Sequence, residues 1–216
     1  MDMNAELRKT YAANMQVMAS VRTASDRLHG PFLISPSEAY CNAQRRLLII
    51  GQQTNGWCQS DDVDEQLRCY ASFDLGRRYY RSPFWRVFHK LERAILGAEY
   101  IAAWGNLNRF DFDGRRPPPE IEKRIATLDF LLVRELEILR PNICIWLVGP
   151  DFDQRLQAIF QGINIEPVDG WTTRQCCKMK HPLLPERTFR TYHPNALRLL
   201  RIEDRVIETI KNETDA

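Results

Sequence analysis

Two hydrophobic periods run along this chain. Residues 4–24 place Leu7, Tyr11, Met15 and Met18 at helical spacing, which predicts an amphipathic helix. Residues 82–96 (SPFWRVFHKLERAIL) repeat the period with Phe84, Val87, Phe88 and Leu91 on one face. There Ser82 can cap the helix and Pro83 suits its first turn. A long helix is expected over 119–139, with Ile121, Ile125, Leu128, Leu132, Leu136 and Leu139 in line. Shorter helices are expected over 151–161 and from Asn195, a good N-cap, to a polar tail.

Between the helices stand short continuous apolar runs, which read as buried strands of a parallel sheet. They are LLII at 47–50, closed by Gly51; EYIAAW at 99–104; NICIWLVG at 142–149; and the last strand at 189–192. Residues 163–168 add a short candidate strand, whereas 30–39, 52–82 and 170–186 lack clear periodicity. Alternation of strand and helix predicts a three-layer α/β/α fold with a central, mainly parallel sheet of about four strands. One domain, 1–216, accounts for the length, with residues 1–44 as a helical extension packed on it.

Composition narrows the class little: 44% hydrophobic, 27% charged and a net charge of +2 describe an ordinary globular chain. No apolar run approaches a membrane span and the N-terminus lacks a signal-peptide pattern, so a cytoplasmic protein without a membrane partner is expected. The six cysteines (41, 58, 69, 144, 176, 177) form no C-x-x-C pair and are expected to be reduced thiols. Nothing here requires more than a monomer.

Chemistry concentrates where strands end. Parallel strands linked by right-handed crossovers bring their C-terminal ends to one edge of the sheet. Gln52 to Asn55, Asn106 to Arg109, Gly149 to Asp151 and His193 to Asn195 are therefore expected to converge. The chain has no G-x-G-x-x-G, Walker, H-E-x-x-H or G-x-S-x-G motif. It offers instead two amide clusters, an arginine (Arg109) and a histidine followed by proline. Amides can read the edge of a heterocycle, and a histidine can donate to an oxyanion developing on such a ring. Arg77, Arg78, Tyr79, Tyr80 and Arg81 interleave cations with aromatics, a pattern suited to phosphate contact and base stacking.

Five blocks in order, LLIIGQQTNG, SPFWRVFHKL, WGNLNRFDFDG, ELEILRPNICIWLVGPDFD and TYHPNALRLLR, resemble the uracil-DNA glycosylase superfamily over about residues 45–200. The resemblance implies a DNA-repair enzyme that hydrolyses the N-glycosidic bond of uracil or another damaged base. It implies DNA as partner and neither metal nor cofactor. His193 would stabilise negative charge on the departing base, Asn106 would read the edge of the flipped base, and Phe84 would stack on it. Gln52 and Gln53 fall in the motif that binds the base and positions water. Pro194 and Asn195, with the helix behind them, would meet DNA, and Arg77, Arg78, Arg81 and Arg198 would contact phosphates.

The sequence departs from that family in three places. Gln53 stands where the most active members carry a carboxylate, and an amide can hold water but cannot act as a general base. Thr54-Asn55 replaces the usual proline. The cysteines of the iron–sulfur branch have no counterparts, so no cluster is expected. A non-catalytic nucleobase or nucleic-acid binder on the same fold is the alternative. His89 and His181 are expected to be structural, and Asp111 and Asp113 to lie in a solvated turn.

Overall fold

A computed structural model describes residues 2–215. In chain order its elements are α1 (Met3–Arg22), β1 (Leu28–His29), α2 (Glu38–Asn42), β2 (Leu47–Gly51), α3 (Val63–Phe73) and α4 (Pro83–Leu96). There follow β3 (Ala103–Asn106), β4 (Asp111–Phe112), α5 (Pro119–Ile125), α6 (Asp129–Leu139), β5 (Ile143–Trp146) and α7 (Asp153–Ile159). The chain closes with β6 (Asn164–Pro167), β7 (Cys176–Lys180), β8 (Arg187–Thr191), α8 (Pro194–Leu199) and α9 (Glu203–Asp215). No described helix is long and apolar enough to cross a membrane.

The main sheet has six strands, ordered β3-β2-β5-β8-β7-β6. The first four run parallel, and β7 and β6 extend the sheet antiparallel. The sheet is thus mixed and larger than the four strands expected. The parallel part coincides with the four apolar runs. The addition comes from Cys176–Lys180 (CCKMK), inside a segment that reads as irregular because its Lys residues break the apolar run. All residues of β2, β3 and β5 are buried, as expected of strands covered on both faces.

Topology explains which loops can meet. The step from β2 to β3 moves one way along the sheet and the step from β3 to β5 moves the other. With right-handed crossovers, the connecting helices α4 and α6 therefore lie on opposite faces. The packing agrees: α4 contacts α8 and α9, whereas α6 contacts α1 and α7. Connections leaving β2 and β8 turn toward the α4 face; those leaving β3 and β5 turn toward α6. Leu7, Tyr11 and Met18 of α1 are completely buried in the common core.

Local departures have local causes. The expected 119–139 helix is interrupted by a 3-10 turn over Ala126–Leu128 and continues as α6. The C-terminal helix is two helices, α8 and α9, separated around Arg201, whose φ is 56°. His193, not Asn195, caps the first of them. The 52–82 interval contains α3, capped by Asp62, whose carboxylate accepts from the Glu65 N–H. Four of its first six residues, Asp64, Glu65, Gln66 and Arg68, are polar or charged and obscure its period.

Candidate active site

Strand register brings Asn106 and Phe84 together at the ends of β2 and β3. Gly51, last in β2, pairs with Asn106, last in β3. A Cβ placed on Gly51 would lie 2.7 Å from Asn106 Oδ1 and 2.8 Å from Phe84 Cε2. Glycine is therefore required by close approach here. It lets the Asn106 amide and the Phe84 ring close over the strand end together. Phe84 is delivered by the first turn of α4, where Ser82 Oγ accepts from the Trp85 N–H at 3.3 Å. Its ring meets Trp85 edge-on, centroids 5.1 Å apart.

On the outer side of Phe84 opens a cleft of about 590 Å³, lined among others by Gln52, Gln53, Phe84, Arg78 and His193; Gly51 and Asn106 are not among its lining residues. That volume suits a small ligand. Trp57, Phe73, Trp85 and Trp104 add aromatic wall to which the sequence assigned no role, and Tyr79, expected to suit base stacking, joins them. A larger groove of about 850 Å³ runs between α1 and α6, lined by surface groups such as Lys9, Glu6 and Arg134. It holds none of the strand-end residues.

The two asparagines after β3 have separate fates. Asn108 is spent on structure: its Nδ2 donates to Glu122 Oε1 at 2.8 Å and its Oδ1 accepts from Arg155 at 2.5 Å. Asn106 is only 3% exposed, yet neither its Oδ1 nor its Nδ2 bonds to any described residue. Buried amides are nearly always partnered, so a doubly unpartnered amide packed against the Phe84 ring is a candidate binding group. Gln53 Oε1 is a further orphan. Gln52 is partly committed, because its Nε2 donates to the Val148 carbonyl at 2.7 Å and ties β2 to the end of β5.

His193 follows β8 and opens α8. Its Nδ1 accepts the backbone N–H of Asn195 at 3.3 Å. The proton of the neutral ring is thus on Nε2, available to donate. Burial holds its pKa below the ordinary 6.5, favouring the neutral ring.

Several expected contributors point elsewhere. Arg109 is buried, with both terminal nitrogens on Glu135 at 2.9 and 2.7 Å, so it is no site cation. The Tyr11 hydroxyl joins the same carboxylate. Gly149 and Asp151 leave the sheet on the α6 side and do not line the cleft. Pro194 is buried as the first residue of α8, which removes its ring from DNA contact, while Asn195 and Arg198 beside it are exposed and bonded to each other at 2.9 Å. Arg77 is held by Asp74 at 2.6 Å and lies over the Tyr100 ring. Arg78 and Arg81 are exposed. His89 is buried between Glu92 and the Leu75 carbonyl, and His181 contacts the Gln161 carbonyl.

Asp111 is the residue that sequence reasoning misplaced. It lies in no solvated turn; it is completely buried. Its Oδ2 accepts from Thr54 Oγ1 at 2.6 Å and from the N–H groups of Gly56 and Trp57, both at 3.0 Å. Its Oδ1 accepts from the Gly114 N–H at 2.6 Å. One carboxylate thus fixes the shape of the loop that follows β2. The loop is also clamped sideways, because Cys58 and Cys69 of α3 form a disulfide with Cα atoms 6.9 Å apart. These two are not the reduced thiols expected. The other four cysteines are free, and burial pushes the Cys177 thiol up to about 11.

Among the described residues, no cluster of three or more His, Cys, Asp or Glu side chains is placed to hold a metal ion. In comparisons with known proteins, the chain matches no protein-family model and no curated protein.

Proposed function

We propose that this protein is a DNA base-excision glycosylase of the uracil-DNA type, built on the corresponding α/β fold. The observation that carries the reading is Asn106, a buried amide with both polar atoms unpartnered, closing over Gly51 beside the Phe84 ring. An amide edge next to an aromatic face is what a flipped-out base needs: paired hydrogen bonds and a stacking wall.

In this mechanism the target base enters the cleft and stacks on Phe84. Asn106 donates to and accepts from its Watson–Crick edge. The bond between sugar C1′ and the base nitrogen then breaks, and its electron pair leaves with the base. The resulting anion is stabilised by His193 Nε2–H, a neutral donor aimed at developing charge. Water held near Gln53 adds to C1′, and its proton passes to solvent or to the departing base. The products are the free base and an abasic site. Arg78, Arg81 and Arg198 are exposed and would contact phosphates.

A second reading is favoured by one observation. Gln53 supplies an amide, not a carboxylate, where water would be activated, so a protein that binds an extruded base without cleaving is the alternative. The experiment that separates them is incubation with oligonucleotides containing uracil, hypoxanthine or xanthine, followed by alkali. Strand scission at the modified base supports the glycosylase. Binding without scission supports the non-catalytic binder.

A further inference from the structure

An aromatic side chain that the mechanism above leaves unused stands at the rim of the cleft. Tyr79 lines the cleft together with Phe84 and His193, yet is 56% exposed. One face of its ring stacks on Phe73, centroids 5.2 Å apart and planes within 11°. Phe73 in turn packs on Trp57, Trp85 and Trp104 at 5.4 to 5.7 Å. Trp85 meets Phe84 edge-on. A continuous aromatic wall therefore runs from Phe84 to an outward ring.

The chain is bent to put that ring there. Asp74, Leu75 and Gly76 have φ values of 49°, 46° and 69°, three consecutive left-handed residues of which two are not glycine. At Gly76 a Cβ would fall 2.2 Å from the Trp85 indole, so the turn is pressed against the aromatic wall. Unfavourable backbone of this kind persists where surrounding packing dictates it, commonly at ligand sites. The charges beside Tyr79 are sorted to match. Arg77 is consumed by Asp74 and Tyr100. Arg78 lines the cleft, Arg81 lies just beyond, and both are exposed and in no ion pair among the described residues.

We infer that Tyr79 forms a second subsite, for the unpaired nucleotide next to the target base, with Arg78 and Arg81 on its phosphates. An exposed ring backed by a rigid stack, with free guanidinium groups alongside, is the arrangement that holds single-stranded nucleic acid without reading sequence. In duplex DNA the flanking base is already stacked on its neighbours and cannot take this place. The subsite therefore confers a preference for single-stranded over duplex DNA. This rests on the proposal that the cleft takes a nucleobase, but not on cleavage.

The test is fluorescence anisotropy with a labelled single-stranded oligonucleotide carrying a tetrahydrofuran abasic analogue, and with the same strand in duplex. Wild type is expected to bind the single strand more tightly. Tyr79→Ala is expected to weaken that binding by about 5-fold to about 100-fold, and Tyr79→Phe, which keeps the ring, to stay within about 2-fold of wild type. Equal binding by wild type and Tyr79→Ala, equal loss in Tyr79→Phe and Tyr79→Ala, equal affinity for duplex, or no single-strand binding by wild type would each overturn the inference. Failure of the glycosylase reading looks different: no alkali-labile sites from uracil-containing strands, with Tyr79-dependent binding intact.

Discussion

The Thr54 hydroxyl donates to the buried Asp111 carboxylate at 2.6 Å, across 57 residues of sequence. The same carboxylate collects the N–H groups of Gly56, Trp57 and Gly114. Hydrogen bonds to a charged acceptor contribute more than neutral ones, and donors left buried without a partner add a desolvation cost. Asp111→Ala should therefore lower stability by about 3 kcal/mol or more, and Thr54→Val by about 1 to 2 kcal/mol. Urea unfolding measures both. An Asp111→Ala variant as stable as wild type would show that the loop is held by something else.

Asn106 and Asn108 make opposite predictions although they are two residues apart. Asn108→Ala strips partners from Glu122 and Arg155 and should cost about 2 to 3 kcal/mol in stability. Asn106→Ala removes an amide that bonds nothing in the free protein. It should change stability by less than about 1 kcal/mol while reducing base release about 100-fold or more. Thermal melts and a turnover assay on the two variants decide the matter. Destabilisation by Asn106→Ala to the extent of Asn108→Ala would mark Asn106 as structural.

In the proposed reaction His193 is expected to set the acid side of the pH profile. Its pKa is lowered in the folded chain by burial, so between that value and 6.5 the unfolded chain binds the proton more readily. Stability from this group is therefore fully present above about pH 6.5 and declines as pH falls toward the folded pKa. Activity follows the neutral ring. kcat/KM should hold as pH drops through 6.5 and fall only below it, and His193→Gln should lack that acid limb. A rate that rises on acidification through 6.5 would assign the imidazolium instead.

Gln53 predicts a gain. If it holds the water without activating it, Gln53→Asp should raise the rate of base release by about 10-fold or more. Single-turnover kinetics read this directly, and an unchanged or lower rate would place the water elsewhere.

What was legible in the sequence divides along physical lines. The parallel strands were visible because burial on both faces demands unbroken apolar runs, as in Leu47–Gly51 and Ile143–Trp146. Gln52, Gln53 and His193 were singled out because they follow strand ends, and Phe84 through the resemblance of its block; all four line the cleft. The sorting of those ends was not visible. It follows from which face each crossover takes, and so Arg109 turned away into a buried pair with Glu135. Asp111 was misread because a carboxylate between aromatic residues looks the same in sequence whether it meets water or four buried donors. Strand β7, which lies between β8 and β6, was hidden because Lys178 and Lys180 interrupt its apolar run.

The most direct test is to incubate the protein with a single-stranded oligonucleotide containing one uracil, treat with alkali, and resolve the products. Scission at the uracil is expected of wild type, with its loss in both His193→Ala and Asn106→Ala while the two variants remain folded. No scission at uracil, hypoxanthine or xanthine by a folded wild-type protein, or scission that His193→Ala leaves unchanged, would contradict the glycosylase reading.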